Sequence, residues 1–199
     1  MKLIPSALFA FVLSAVSAQE YNTSAPFTLK LESDNADING QYLGACHAGA
    51  AIEQLCLDGT DGTPVNYNTF TLNVTSGSTD FETGPLVWIL QGSGFNLSSG
   101  LSFTQNLHSN VAVPEFTPSP SYDYVGFDAD NKLFIYSGPY DESTFVADEY
   151  PVAAPSTPLY QWYACYTYTG YYYNALAWAT TGEPINPTCE AVNVTRTFV

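Results

Sequence analysis

Three groups of residues in this chain have the types and spacing to do chemistry: a cysteine beside a histidine, a scatter of carboxylates, and a dense run of tyrosine and tryptophan. In GACHAGAAIEQLCLDG, residues 44–59, Cys46 adjoins His47 and Cys56 follows ten positions on. Thiolate catalysis needs a base placed to take the thiol proton, but neighbours along a strand project to opposite faces. Structural zinc wants four ligands at short spacings such as C-x2-C, and the chain offers only Cys46, Cys56, Cys165 and Cys189 with His47 and His108. The expectation is two disulfides. Proximity favours Cys46 with Cys56 and Cys165 with Cys189, with the other connectivities open, and each such loop stabilises by about 3 kcal/mol on the chain-entropy argument. No cofactor and no metal is expected.

The carboxylates are less directive. Glycoside hydrolysis needs two of them roughly 5 to 9.5 Å apart, and 19 acidic residues satisfy that arithmetic too easily to be informative. Glu53, Asp123 and Glu149 fall on apparent strands, where a solvated face explains each equally well. NADING (35–40) matches the first half of a calcium loop, but the twelfth position is Cys46 rather than a bidentate glutamate. DGTDG (58–62) and DADN (128–131) read as turns in which Asp, Asn and Gly supply the backbone geometry. QGSGFN (91–96) lacks the G-x-S-x-G order of a nucleophile elbow and reads as a glycine-rich turn.

LYQWYACYTYTGYYYNALAW, residues 159–178, is the most unusual stretch, reading as two strands about Gly170. Alternation places Trp162, Tyr166 and Tyr168 on one face and Tyr163, Cys165 and Thr167 on the other. One face belongs to a core. The other either forms an aromatic platform for stacking on sugar rings, with Trp162, Tyr166, Tyr168, Tyr172 and Trp178 as the candidate contacts, or is covered by cross-strand aromatic pairs and loops.

The elements that would position these residues are short strands. Runs such as FTLKLES (27–33), IEQLCL (52–57), NTFTLNVT (68–75), PLVWILQG (85–92), KLFIYS (132–137) and TFVADE (144–149) are separated by Gly, Pro, Asn and Asp, and no stretch holds helical periodicity. This predicts an all-β chain: a single antiparallel sandwich or barrel of about ten to twelve short strands. FTLKLESDNAD and FTLNVTSGSTD, starting at Phe27 and Phe70, hint at an internal repeat and keep a β-trefoil as the alternative. The proline-rich segments at 114–120 and 151–158 read as ordered loops.

Residues 1–18, MKLIPSALFAFVLSAVSA, have the layout of a secretory signal peptide, which leaves 19–199 as one extracellular β-rich domain. The apolar run is shorter than the roughly 20 residues a bilayer crossing needs, and the C-terminus has no lipid-anchor signal, so no membrane anchor is expected. Outside that leader only Lys30, Lys132 and Arg196 stand against 19 acids, which disfavours nucleic acid and anionic membranes as partners. Sequons at Asn22, Asn73, Asn96 and Asn193 are candidate glycosylation sites.

INGQYLGACHAGA, GFDADNKLFIYSG, WYAC, LAW and GEPINPTC with the closing NVTR resemble a family of small secreted fungal proteins, β-rich and uncharacterised or cell-wall associated. The resemblance spans nearly the whole mature chain and implies secretion and a surface or structural role; it carries over no active-site residue. The functional expectation is a secreted, non-catalytic protein of the cell wall or surface with weak affinity for a neutral wall polysaccharide. The alternative is a secreted glycoside hydrolase or other hydrolase with an unrecognised carboxylate site.

Overall fold

The computed structural model describes residues 21–57, 61–75, 82–153 and 155–199. The expected leader at 1–18, Asp58 and Gly59 of the second acidic turn, and residues 76–80 of the second repeat copy lie outside the described residues.

Strands form where β-branched and aromatic residues run between turn sequences. In chain order they are β1 (Tyr21–Thr23), β2 (Phe27–Glu32), β3 (Leu43–Gly49), β4 (Ile52–Leu57), β5 (Thr71–Thr75), β6 (Thr83–Gly92), β7 (Phe95–Gln105), β8 (Val111–Thr117), β9 (Tyr124–Phe127), β10 (Leu133–Tyr136), β11 (Pro158–Leu159), β12 (Trp162–Tyr168), β13 (Tyr172–Ala179), β14 (Glu190–Ala191) and β15 (Asn193–Phe198). The main sheet runs β11-β10-β9-β6-β7-β8-β4-β13-β12-β14, with β3 paired to β4, β5 to β6 and β1 to β5. It is antiparallel and curls into a half-barrel. The separate ribbon of β2 and β15 is stitched to it by isolated bridges from Phe27 to Phe70, Lys30 to Tyr42 and Lys132 to Thr195. The all-β expectation holds in its barrel-like form. The sheet order shows no threefold repetition, so the trefoil alternative falls.

The two repeat copies meet head to head instead of forming equivalent units. Phe27 and Phe70 exchange backbone hydrogen bonds of 3.0 and 2.9 Å, and both rings enter the core. Around them pack Leu29, Leu31, Leu43, Leu55, Leu72, Leu86, Trp88, Leu101 and Phe116, supplied by alternate positions of β2 to β8. Arg196 of β15 lies over the Phe127 ring at 4.4 Å and the Phe198 ring at 4.8 Å while its Nε donates to Asn131 Oδ1 at 3.0 Å. The ribbon is thereby tied to the β9–β10 turn.

Two sequence expectations are corrected. TFVADE (144–149) is not a strand: Glu142–Thr144 form a single 3-10 turn, capped by Asp141 Oδ1 accepting from the Ser143 backbone at 3.0 Å, and residues 138–150 are exposed on every side. A strand needs a face to bury, and these residues have none to pack against. Conversely, Pro114, Glu115 and Phe116, expected in a proline loop, lie inside β8. β8 pairs with β13 through Val111 and Ala112 and with β4 through Glu115 and Phe116, so Pro114 falls where the strand changes partner. A residue without a backbone N–H is tolerated at such a break in the ladder.

The β12–β13 hairpin carries the aromatic run and is held at its tip. Gly170 turns the chain at φ 109°, and a Cβ there would meet the Ala48 carbonyl oxygen at 3.3 Å. Tyr173 Oη donates to the His47 carbonyl at 3.0 Å, which leans the tip on the end of β3.

Candidate functional site

Alternation puts Trp162, Tyr166 and Tyr168 on one face, and the register of β12 on β13, which pairs Trp162 with Trp178, Tyr166 with Asn174 and Tyr168 with Tyr172, brings Tyr172 and Trp178 to the same face. That face does not stay in one environment. Trp162 is 1% and Trp178 9% exposed; their rings meet edge to face at 4.8 Å and Trp162 Nε1 donates to the Leu133 carbonyl at 2.9 Å. They are core residues, and the expectation that they contact a ligand is corrected: the curled sheet covers the base of the hairpin. Beyond Ala164 the same face runs out of the core. Tyr166, Tyr168 and Tyr172 are 50%, 62% and 64% exposed. Tyr172 stacks on Tyr166 at 5.6 Å with 9° between the planes and lies 4.7 Å from Tyr168.

The other face of the hairpin divides in the same way. At its base Cys165, Ala177 and Ala179 form a small second core with Val111, closed by the Cys165–Cys189 disulfide. Toward the tip, Thr167 and the strands around it border a cleft of about 600 Å³. One wall is Tyr166 to Gly170, and the other comes from Thr104, Gln105, Val113 and Glu115 of β7 and β8. Gln54 and Glu115 are register partners and therefore project to the same side. Gln54 is fully buried; its Nε2 donates to Thr167 Oγ1 at 2.7 Å and its Oε1 accepts from Thr169 Oγ1 at 3.4 Å. Glu115 is buried, with Oε2 accepting from Thr104 Oγ1 at 2.7 Å. The hairpin thus presents two surfaces: an exposed tyrosine row on one face and, on the other, a cleft of hydroxyl, amide and carboxylate groups of a size that suits a small polar ligand.

Sequence reasoning missed Gln54, Glu115, Thr104 and Thr169. The signal was present in IEQLCL and VAVPEF, where a polar residue interrupts an apolar strand, but only the β4–β8 register brings the two together.

The remaining candidates resolve as follows. Cys46 pairs with Cys56 and Cys165 with Cys189, the expected connectivity, and no described cysteine is free. His47 is exposed, on the face opposite the Cys46 sulfur, with its ring 5.2 Å from Tyr171. Its register partner Glu53 is buried rather than solvated, Oε2 accepts no hydrogen bond, and burial pushes its carboxyl above the usual range against the opposing pull of His47. Asp123 lies just before β9, where Oδ2 accepts from the Phe103 backbone at 2.9 Å, and Glu149 sits in the exposed loop. Tyr160 donates to Asp128 Oδ2 at 2.9 Å, and desolvation with that bond raises its hydroxyl to about 12.

The acidic loops at 35–40 and 128–131 are turns. Asn35 Oδ1 accepts from the Asp37 backbone at 3.0 Å, and Asp128 Oδ1 from Asp130 and Lys132 at 2.9 and 2.8 Å. Among the described residues no cluster of His, Cys, Asp or Glu could hold a metal, and no helix is long and apolar enough to cross a membrane. Of the sequons, Asn22 and Asn96 are exposed. Asn73 and Asn193 are half-buried in β5 and β15, Asn73 accepting from Thr23 Oγ1 at 2.8 Å.

Fold and site together define a disulfide-stapled, curled all-β domain with an exposed tyrosine row and a polar cleft on opposite faces of the β12–β13 hairpin. A family model described as Domain of unknown function (DUF7907) matches residues 24–198, and the chain belongs to that family. No curated protein and no solved structure matches it.

Proposed function

We propose that this is a secreted, non-catalytic protein that associates with a cell wall or cell surface through weak contact with neutral carbohydrate. The observation that carries the reading is the row of Tyr166, Tyr172 and Tyr168, stacked on one another yet half or more exposed, beside a cleft with buried polar side chains. Exposed large aromatics are normally dispersed on a soluble surface, and a contiguous stacked set offers a surface to the faces of sugar rings. The acidic composition, with net charge −15, argues against anionic glycans. The fungal resemblance and the signal-like N-terminus support a wall or surface location.

The hydrolase reading has one observation behind it, the buried Glu115 in the cleft. A two-carboxylate mechanism needs a second acid facing it. The nearest buried candidate, Glu53, pairs with Phe116 and projects to the opposite side of the sheet from Glu115, and Glu115 is the only carboxylate among the described residues lining the cleft.

Pull-down on insoluble β-glucan and chitin, with reducing-sugar release measured in parallel, tests both. The parent should bind at least one polymer without releasing sugar. Tyr172→Ala removes one stacking contact worth about 1 kcal/mol, or about fivefold in affinity per site, and multivalent display on the polymer enlarges the difference. The variant keeps its fold because the ring is mostly exposed. Trp162→Ala, by contrast, loses about 3 to 5 kcal/mol of stability and serves as the control for trivial unfolding. Absence of binding by the parent, or undiminished binding by folded Tyr172→Ala, refutes the tyrosine surface; sugar release would favour the hydrolase.

A further inference from the structure

We propose that the small pocket adjoining the tyrosine row, where the core of the half-barrel ends, is the subsite for the terminal ring of a neutral glycan, which it recognises by two adjacent hydroxyl groups. The inference rests on the carbohydrate reading and deepens it.

The pocket, about 370 Å³, is lined in part by Ala164 of β12 and Asn174 of β13. Ala164 is two positions from Tyr166 and therefore on its face; Asn174 is the register partner of Tyr166 and two positions from Tyr172. Pocket and tyrosine row thus share one face of the hairpin and adjoin. Thr188, also in the lining, fastens the two, its Oγ1 accepting from the Tyr166 backbone at 3.0 Å. The opposite wall is the β2–β3 connection, which supplies Asp37, Ile38 and Gln41. That turn is held by its own bonds: Asn35 Oδ1 accepts from the Asp37 backbone at 3.0 Å, and the Gln41 backbone N–H donates to the Ile38 carbonyl at 3.1 Å. The wall is therefore formed before a ligand arrives.

The chemistry of the lining selects the ligand. Ala164, buried, closes the base, and Ile38 and Leu57 are half-buried beside it, an apolar floor for the C–H face of a pyranose. The Asp37 carboxylate and the Asn174 amide are exposed, and neither carries a hydrogen bond within the described residues. Gln41 Nε2 donates to the Asp37 carbonyl, which leaves its Oε1 as an acceptor. Thr188 Oγ1 already donates to Asn186 Oδ1 at 2.8 Å. Acceptors outnumber donors, so the ligand has to bring hydroxyl protons. A carboxylate accepts two at once from adjacent hydroxyls, in charge-assisted bonds, and the Asn174 amide both donates and accepts. An anionic sugar is repelled by Asp37, and no described Lys, Arg or His lines the pocket to hold one. The volume is at the lower end of the range for small-ligand sites. Because its base is core, a polymer enters by its end and leaves along Tyr166, Tyr172 and Tyr168.

Calorimetric titration with the methyl glycosides of a laminarin tetramer and a chitin tetramer tests this, because in both the only adjacent free hydroxyls are on the non-reducing terminal ring. Each is compared with the same oligomer after periodate cleavage of that pair and borohydride reduction. At least one intact tetramer should bind the parent, and cleavage should weaken it about tenfold or more. Asn174→Ala and Asp37→Asn, both at exposed positions, should each lose about fivefold on the intact oligomer and little on the cleaved one, whereas Tyr172→Ala should weaken both. Glu149→Gln, in the exposed loop, removes the same formal charge as Asp37→Asn and should bind as the parent does. Undiminished binding of the cleaved oligomer overturns the end-pocket inference and leaves the tyrosine row standing, as does undiminished binding of the intact one by folded Asn174→Ala and Asp37→Asn. Equal losses in Glu149→Gln and Asp37→Asn would show a bulk charge effect and overturn it. Absence of binding by both tetramers overturns both readings. The comparison of intact with cleaved oligomer uses the parent alone, so it decides the matter even if a variant folds poorly.

Discussion

Replacing Glu53 by methionine should stabilise the protein at neutral pH, and the gain should disappear in acid. Glu53 sits in β4 beside Phe116 of β8 and opposite His47 of β3. Its Oε2 is buried without a hydrogen-bond partner, a situation that costs about 1 to 3 kcal/mol for a polar group and more for a charged one. Methionine has a similar length, covers the same neighbours and removes the carboxylate, so the expected gain at pH 7 is about 1 to 3 kcal/mol. The sign with pH follows from linkage. Burial raises the folded-state pKa above the unfolded one, so the native state holds the proton more tightly. The parent's stability from this group is fully present below the unfolded glutamate value and is lost as pH rises through the folded one. The gap between Glu53→Met and parent should open across that window and level off above it. Protonation of His47 opposes the shift, because its charge favours the carboxylate. Urea unfolding of both proteins between about pH 4.5 and pH 8 measures the difference, and taking the difference cancels the other acids they share. A gap independent of pH, or a variant less stable than the parent at pH 7, would refute the reasoning.

Three further outcomes follow from particular residues. Gly170→Ala should destabilise by about 1 kcal/mol or more, since it places a side chain at φ 109° and 3.3 Å from the Ala48 carbonyl; equal melting curves would show that the tip is not held as described. Alkylation without reductant should label no cysteine, and the paired Cys165→Ala, Cys189→Ala variant, which opens a loop of separation 24, should lose about 3 kcal/mol in chemical denaturation. If the protein is expressed through a eukaryotic secretory route, glycan mapping should find Asn22 and Asn96 occupied ahead of Asn193, which is half-buried against β2; the reverse order would contradict the exposures.

Local chemistry was legible in the sequence wherever a short stretch decided it. Asp128 and Asn131 set the β9–β10 turn and Gly170 the β12–β13 turn, because left-handed or side-chain-bonded turns select those residue types. The cysteines paired with their nearest neighbours in sequence, Cys46 with Cys56 across the tight β3–β4 hairpin and Cys165 with Cys189 where the chain returns past β13 to pair β14 with β12. The period-two pattern correctly put Trp162, Tyr166 and Tyr168 on one face, and the β12–β13 register added Tyr172 and Trp178 to it. It failed at 144–149, where β-prone residues had no partner surface, and at Pro114, where a strand absorbs a proline by changing neighbours.

The sequence by itself determined the all-β class, the turns and the shared face of Trp162, Tyr166 and Tyr168, because each depends on backbone preference and alternation within a few residues. Only the tertiary structure decided which of those aromatics meet solvent. Alternation specifies a face but not where the sheet covering it ends, and here the core stops between Ala164 and Tyr166. The polar cleft was likewise decided by long-range register. Gln54 and Glu115 lie 61 positions apart, and Gln54 and Thr167 are 113 apart. Their juxtaposition comes from the order β8-β4-β13 in the sheet, a pairing that depends on how all the strands bury their apolar faces together and that no local window contains.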